Sequence, residues 1–136
     1  DNNMQVRRMF ISVLLGLSLA ASVHAAQTTT GSATWDIDDL SLGGNFAATR
    51  LLLDFSLNPD WVSIPVNGYI ETNTGNALVV GTAVFDGDGA LLIHLNSSFS
   101  VDFYVQLGDN FSGEIGLYNP DGTLFSFADI TFAGVR

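Results

Sequence analysis

The sequence predicts an all-β domain of about eight antiparallel strands in a meander, closed as a small barrel or folded as a sandwich. Three observations predict it. Apolar residues recur with period two, which buries one face of a strand and wets the other. Turn residues punctuate the chain at short, regular intervals. No window of a dozen residues keeps a helical apolar stripe without Gly, Pro or Asn breaking it.

The strands are placed, in order, at 33–42, 47–57, 61–72, 77–86, 89–97, 99–107, 111–118 and 123–133. The alternation is clearest in the second, where Leu51, Leu53, Phe55 and Leu57 interleave with Arg50, Leu52, Asp54 and Ser56. In the sixth, Val101, Phe103, Val105 and Leu107 alternate with Asp102, Tyr104 and Gln106, and in the eighth Ile130 and Phe132 alternate with Asp129 and Thr131. Between them, Asn73-Thr74-Gly75-Asn76, Asp86-Gly87-Asp88-Gly89 and Asn119-Pro120-Asp121-Gly122 supply the left-handed conformations that tight hairpin turns need. Gly68, Gly81 and Gly113 each open a strand that leads into a Gly-containing turn, the pattern of repeated hairpins.

The N-terminal region reads as an export signal. Met4 is the expected start, with residues 1–3 upstream of it. Arg7 and Arg8 form a positive n-region, Met9 to Val23 carries no charge, and Val23-His24-Ala25 has the small residues a signal peptidase selects. Residues 1–25 are therefore expected to be removed. The apolar run is shorter than the roughly 20 residues a membrane helix needs, so no membrane span is expected after cleavage. The polar AQTTTGS stretch, 26–32, is expected to be a flexible arm before a single β-domain over 33–136. A secreted, extracellular or periplasmic location follows.

Composition excludes several classes. The formal net charge is −10, there is no lysine, and beyond the signal only Arg50 and Arg136 are basic. Such a surface repels phosphate backbones and disfavours nucleic acid. With no cysteine and with His94 as the one histidine beyond the signal, no zinc site can be assembled. His94 lacks a G-x-S-x-G nucleophile elbow and reads as structural. The acids fall mostly at turns and on outward faces rather than facing each other across a cleft, as a glycosidase requires. No enzyme activity is expected and no cofactor, calcium excepted. Asp86 and Asp88 in the D-x-D-G turn are candidate calcium ligands, although a closing glutamate is missing and a hairpin tip needs the same residues. Trp35, Trp61, Tyr69 and Tyr104 are candidate ligand-binding aromatics. Tyr104 lies on the polar face of its strand, and Trp35 shares a face with Ala33 and Ile37.

Two families share parts of this pattern. The stretch Gly81 to Phe132, with GTAVFDGDGALLIHL and SGEIGLYNPDGTLF, resembles calycin-like secreted barrels of the lipocalin and avidin type. That resemblance implies a closed barrel with an apolar cavity open at one end. TWDIDD followed by NFAATRLLLDFSL is similar to camelysin-like matrix-fibre subunits, which implies assembly.

The missing lysine bears on both. Soluble sheets commonly guard their edges with lysine, proline or inward charge. Either this sheet closes on itself and leaves no edge, or its edges pair with other copies, aided by the 26–32 arm. The expected function is a non-catalytic structural subunit that self-assembles into an extracellular filament or matrix, its partners copies of itself. The alternative is a carrier of a small apolar ligand.

Overall fold

The computed structural model of the protein describes residues 29–57, 63–86 and 90–135. Residues 1–25, expected to be a signal peptide, and Trp61 and Asp88 lie outside the described residues. Eight antiparallel strands follow one another in sequence order and the last returns to the first, so the sheet is a closed barrel rather than a sandwich. They are β1 (Thr29–Gly43), β2 (Phe46–Leu57), β3 (Ser63–Thr72), β4 (Gly75–Phe85), β5 (Leu91–Ser97), β6 (Asp102–Leu107), β7 (Gly113–Tyr118) and β8 (Leu124–Val135). A short 3-10 turn, Asp109–Phe111, connects β6 to β7.

Closure is made by β1 and β8, with Ala33 opposite Val135 and Ile37 opposite Ile130. β1 begins earlier than the sequence suggested. Thr29 to Ser32, assigned above to a free arm, pair with Leu57 to Asp54, and the Ser32 hydroxyl donates to the Asp54 carboxylate. Thr29 and Thr30 are strand-prone, and the backbone groups of β2 at this level find ladder partners only if β1 extends this far.

The barrel interior is apolar and filled. Ile64, Ala83, Ile93, Val105, Ile115 and Ala128 stand opposite one another in one row across β3 to β8, and all are buried. Trp35, Phe55 and Phe103 are the largest side chains removed completely from solvent. Small residues in the row let large ones cross the barrel, which is how a narrow barrel reaches the density of a protein interior. Trp35 packs against Phe55 at 6.1 Å and Phe132 at 5.9 Å between ring centroids, and its indole N–H donates to the Phe111 carbonyl at 2.8 Å.

Two glycines sit where neighbouring strands approach closely. A Cβ on Gly68 would lie 1.9 Å from the Leu52 carbonyl oxygen, and one on Gly81 would lie 1.8 Å from that of His94. No side chain fits at either place unless the neighbouring backbone moves.

The outward positions include Asp36, Arg50, Asp102, Glu114 and Asp129, with Arg50 Nε 3.5 Å from Asp36 Oδ1. Apolar side chains inward and charges outward reverse the arrangement of a lipid-spanning barrel. Some apolar residues nevertheless face out: Leu78 and Val80 on β4, Phe99 in the β5–β6 turn, and Leu124 and Phe127 on β8.

Candidate functional site

The outward face of β4 to β8 carries a groove of about 840 Å³. Its floor is set by register. Thr82, His94, Tyr104, Gly116 and Phe127 stand opposite one another in a single row across five strands. A second row holds Asn96, Asp102, Tyr118 and Leu124, and a third holds Leu92, Gln106, Glu114 and Asp129. Because side chains alternate faces, these rows project outward between the buried ones. Pro120 and Gly122 of the β7–β8 turn also line the groove.

The rings form a continuous strip. His94 and Tyr104 stack with centroids 4.4 Å apart and planes 2° from parallel. Tyr118 meets Tyr104 edge-on, at 5.0 Å and 83°. The space for Tyr118 exists because residue 116 is glycine: a Cβ there would lie 2.9 Å from the Tyr118 ring and 3.4 Å from Leu124. Phe127, opposite Gly116, is 64% exposed and Tyr104 is 45% exposed. Exposed aromatic surface of this kind, not needed for packing, is expensive to leave in water and marks contact sites.

Polar groups border the rings. His94 Nε2 lies 3.5 Å from Asp102 Oδ1, an ion-pair distance, but makes no hydrogen bond among the described residues. Thr82, Gln106 and Glu114 complete the polar lining. Asp121, in the adjoining turn, accepts from the Thr123 hydroxyl at 2.6 Å and from the Thr123 backbone N–H at 3.0 Å, and these bonds hold its carboxyl below the usual 3.8.

The two carboxylates that line the groove are far apart. Asp102 and Gln106 are four residues apart on β6, and Glu114 stands opposite Gln106. At about 3.3 Å per residue the backbone positions of Asp102 and Glu114 are roughly 13 Å apart along the strands, and they stand in different rows rather than as a facing pair.

Of the aromatics singled out from sequence, Tyr104 lies in the groove. Trp35 is wholly buried in the barrel. Tyr69 is half-buried on the outer face of β3, opposite Leu52 and Leu78. Trp61 is outside the described residues. Asp86 closes the β4–β5 turn: its carboxylate accepts the Ala90 N–H at 2.9 Å, while its own N–H donates to the Ala90 carbonyl at 2.9 Å. Its companion Asp88 is outside the described residues, among which no group of three or more His, Cys, Asp or Glu side chains gathers for a metal ion. Sequence reasoning did not single out Tyr118, Phe127, Asp102 or Gly116 for the site. The signal that unites them is strand register, which appears only when β5 to β8 are aligned.

Comparison with protein families, with curated proteins and with solved structures finds no match to this chain.

Proposed function

We propose that this protein is a non-catalytic, secreted or cell-surface binding domain that meets its target through the outer groove of β4 to β8. The observation that carries this reading is the unbroken ring strip His94–Tyr104–Tyr118, continued across Gly116 by Phe127, on a face that the fold leaves open. Two features favour the outside of the barrel over other places. Side chains as large as Trp35, Phe55 and Phe103 fill the interior, where a carrier would hold its ligand. The sheet closes on itself through β1 and β8, which favours a partner held by side chains over one held by strand addition. The wide spacing of Asp102 and Glu114 favours binding over hydrolysis.

A protein-observed NMR screen with a library of small fragments tests this. Small ligands collect where a surface can desolvate them. The expected hits shift backbone amides of 104–106, 114–118 and 127. Hits confined to other surfaces, or none, would overturn the reading.

A second reading, self-assembly into an extracellular structure, is favoured by a separate apolar strip. Leu78, 71% exposed, and Val80 face outward on β4, and the Phe99 turn folds against them through the Ser98 N–H bond to the Leu78 carbonyl. Copies would then meet face to face. Light scattering across a concentration series, with Leu78→Ser as the comparison, separates a monomer from an assembly.

A further inference from the structure

We infer that the groove binds a neutral carbohydrate chain, an inference that rests on the binding-domain reading above and names its ligand class. A sugar ring is amphipathic, with C–H groups on its faces and hydroxyls at its rim. It needs a flat apolar surface with hydrogen-bonding groups at the border. The groove has that arrangement. Phe127 and Tyr118 offer ring surface along the β7–β8 side, and Asp102, Gln106, Glu114 and Thr82 stand around it. The carboxylates accept from hydroxyls, and the Gln106 amide both accepts from and donates to them. Asp102 lies in the row on one side of the ring row, and Gln106 and Glu114 lie in the row on the other. They therefore suit a ligand that extends beyond a single ring.

Charge narrows the class. Asp102 and Glu114 line the groove, no lysine or arginine among the described residues does, and the chain carries a formal charge of −10. An anionic sugar or a phosphate would be repelled. An organic cation is served best by open ring faces converging on one point. Here the parallel His94 ring covers one face of Tyr104 and Tyr118 stands perpendicular to it, so these three rings do not form a cage of open faces around one point. A second copy of this acidic chain would bring like charge to the carboxylates. A neutral, hydroxyl-rich chain meets none of these obstacles.

The test is an NMR titration of the protein with neutral soluble oligosaccharides (gluco-, manno-, xylo- and N-acetylchito-oligomers), with oligogalacturonate as the anionic probe and tetramethylammonium as the cationic one. The expected result is movement of amides in 104–106, 114–118 and 127 with at least one neutral sugar and none with oligogalacturonate. Affinity should hold as salt is raised, because no ion pair is formed with the ligand. Phe127→Ala and Tyr118→Ala should each weaken binding roughly tenfold, the loss of one aromatic contact, while Leu78→Ser leaves it unchanged. Circular dichroism melts show whether each variant is folded, and a conservative Tyr118→Phe keeps the ring if the alanine variant is not. Fragments that bind the groove while every neutral sugar fails would overturn the ligand class and leave the binding surface standing. Tighter binding of the cation or of oligogalacturonate would overturn it too. Failure of fragments and sugars together would overturn both readings.

Discussion

The ring of Tyr118 stands perpendicular to that of Tyr104, 5.0 Å between centroids, above a backbone that carries no side chain at Gly116. Gly116→Ala puts a methyl group 2.9 Å from the Tyr118 ring. Its neighbours are the ends of side chains, so they give way rather than the backbone. The gain from replacing a strand glycine and the cost of crowding offset to within about 1 kcal/mol. The variant should therefore melt near the wild type, while the Tyr118 ring resonances move and groove ligands bind more weakly. Unchanged ring resonances would show that Tyr118 does not rest there.

Gly81→Ala is the contrasting case. Its methyl would lie 1.8 Å from the His94 carbonyl oxygen, which is part of the β4–β5 ladder and cannot move alone. Either the ladder opens or β4 shifts, and about 3 kcal/mol of stability should be lost. Urea unfolding measures it. A variant as stable as the wild type would mean that β4 and β5 run farther apart at this level.

Trp35 joins β1 to the β6–β7 turn. Asn110 and Phe111 there have φ of 60° and 55°, a left-handed conformation that a bulky residue such as phenylalanine avoids. The Trp35 indole N–H bonds to the Phe111 carbonyl, and the Phe111 ring packs on Phe132 at 5.5 Å, so tertiary contacts hold the turn in place. Trp35→Phe removes the bond to the Phe111 carbonyl and leaves a void beside Phe55, and should cost about 3 kcal/mol by urea unfolding. A cost under about 1 kcal/mol would mean that the carbonyl finds another donor.

Much of the fold was legible because the information is local. Alternation in Arg50–Leu57 and Asp102–Leu107 marks strand and face together, and it also puts Trp35 on the buried side with Ala33 and Ile37. Of the glycines expected to open strands, Gly113 does so, whereas Gly68 and Gly81 lie inside β3 and β4; at all three the neighbouring backbone leaves no room for a Cβ. Closure was one of two options, since the β1–β8 pairing joins residues about a hundred positions apart and no local signal encodes it. The groove was mostly illegible for a related reason. Tyr104 on a polar strand face was visible, but its neighbours His94, Gly116 and Phe127 come from three other strands, and their alignment depends on exact register.

Asp86 separates two uses of an aspartate at a turn. As a turn residue it accepts the Ala90 N–H through a side-chain oxygen, which an asparagine also offers. Asp86→Asn should then keep the wild-type melting temperature with calcium or with chelator present, whereas Asp86→Ala loses about 1 kcal/mol. A calcium-dependent rise in melting temperature that Asp86→Asn abolishes would make it a metal ligand instead.

Asp121 gives a pH-dependent stability whose sign follows from its hydrogen bonds. The Thr123 hydroxyl and then the Thr123 N–H hold its carboxyl below 3.8 in the folded protein, so the unfolded chain takes up the proton first as pH falls. The stabilisation is complete above the unfolded value and declines as pH drops through the lowered folded one. The group is fully exposed, so solvent screens the effect and it is small. Melting the wild type and Asp121→Asn side by side from about pH 6 to about pH 2 should show the wild type more stable at the upper end and the gap closing toward the lower. A gap that stays constant across this range would mean that the Thr123 bonds act without the charge. The β7–β8 turn that borders the groove would then be equally ordered in acid.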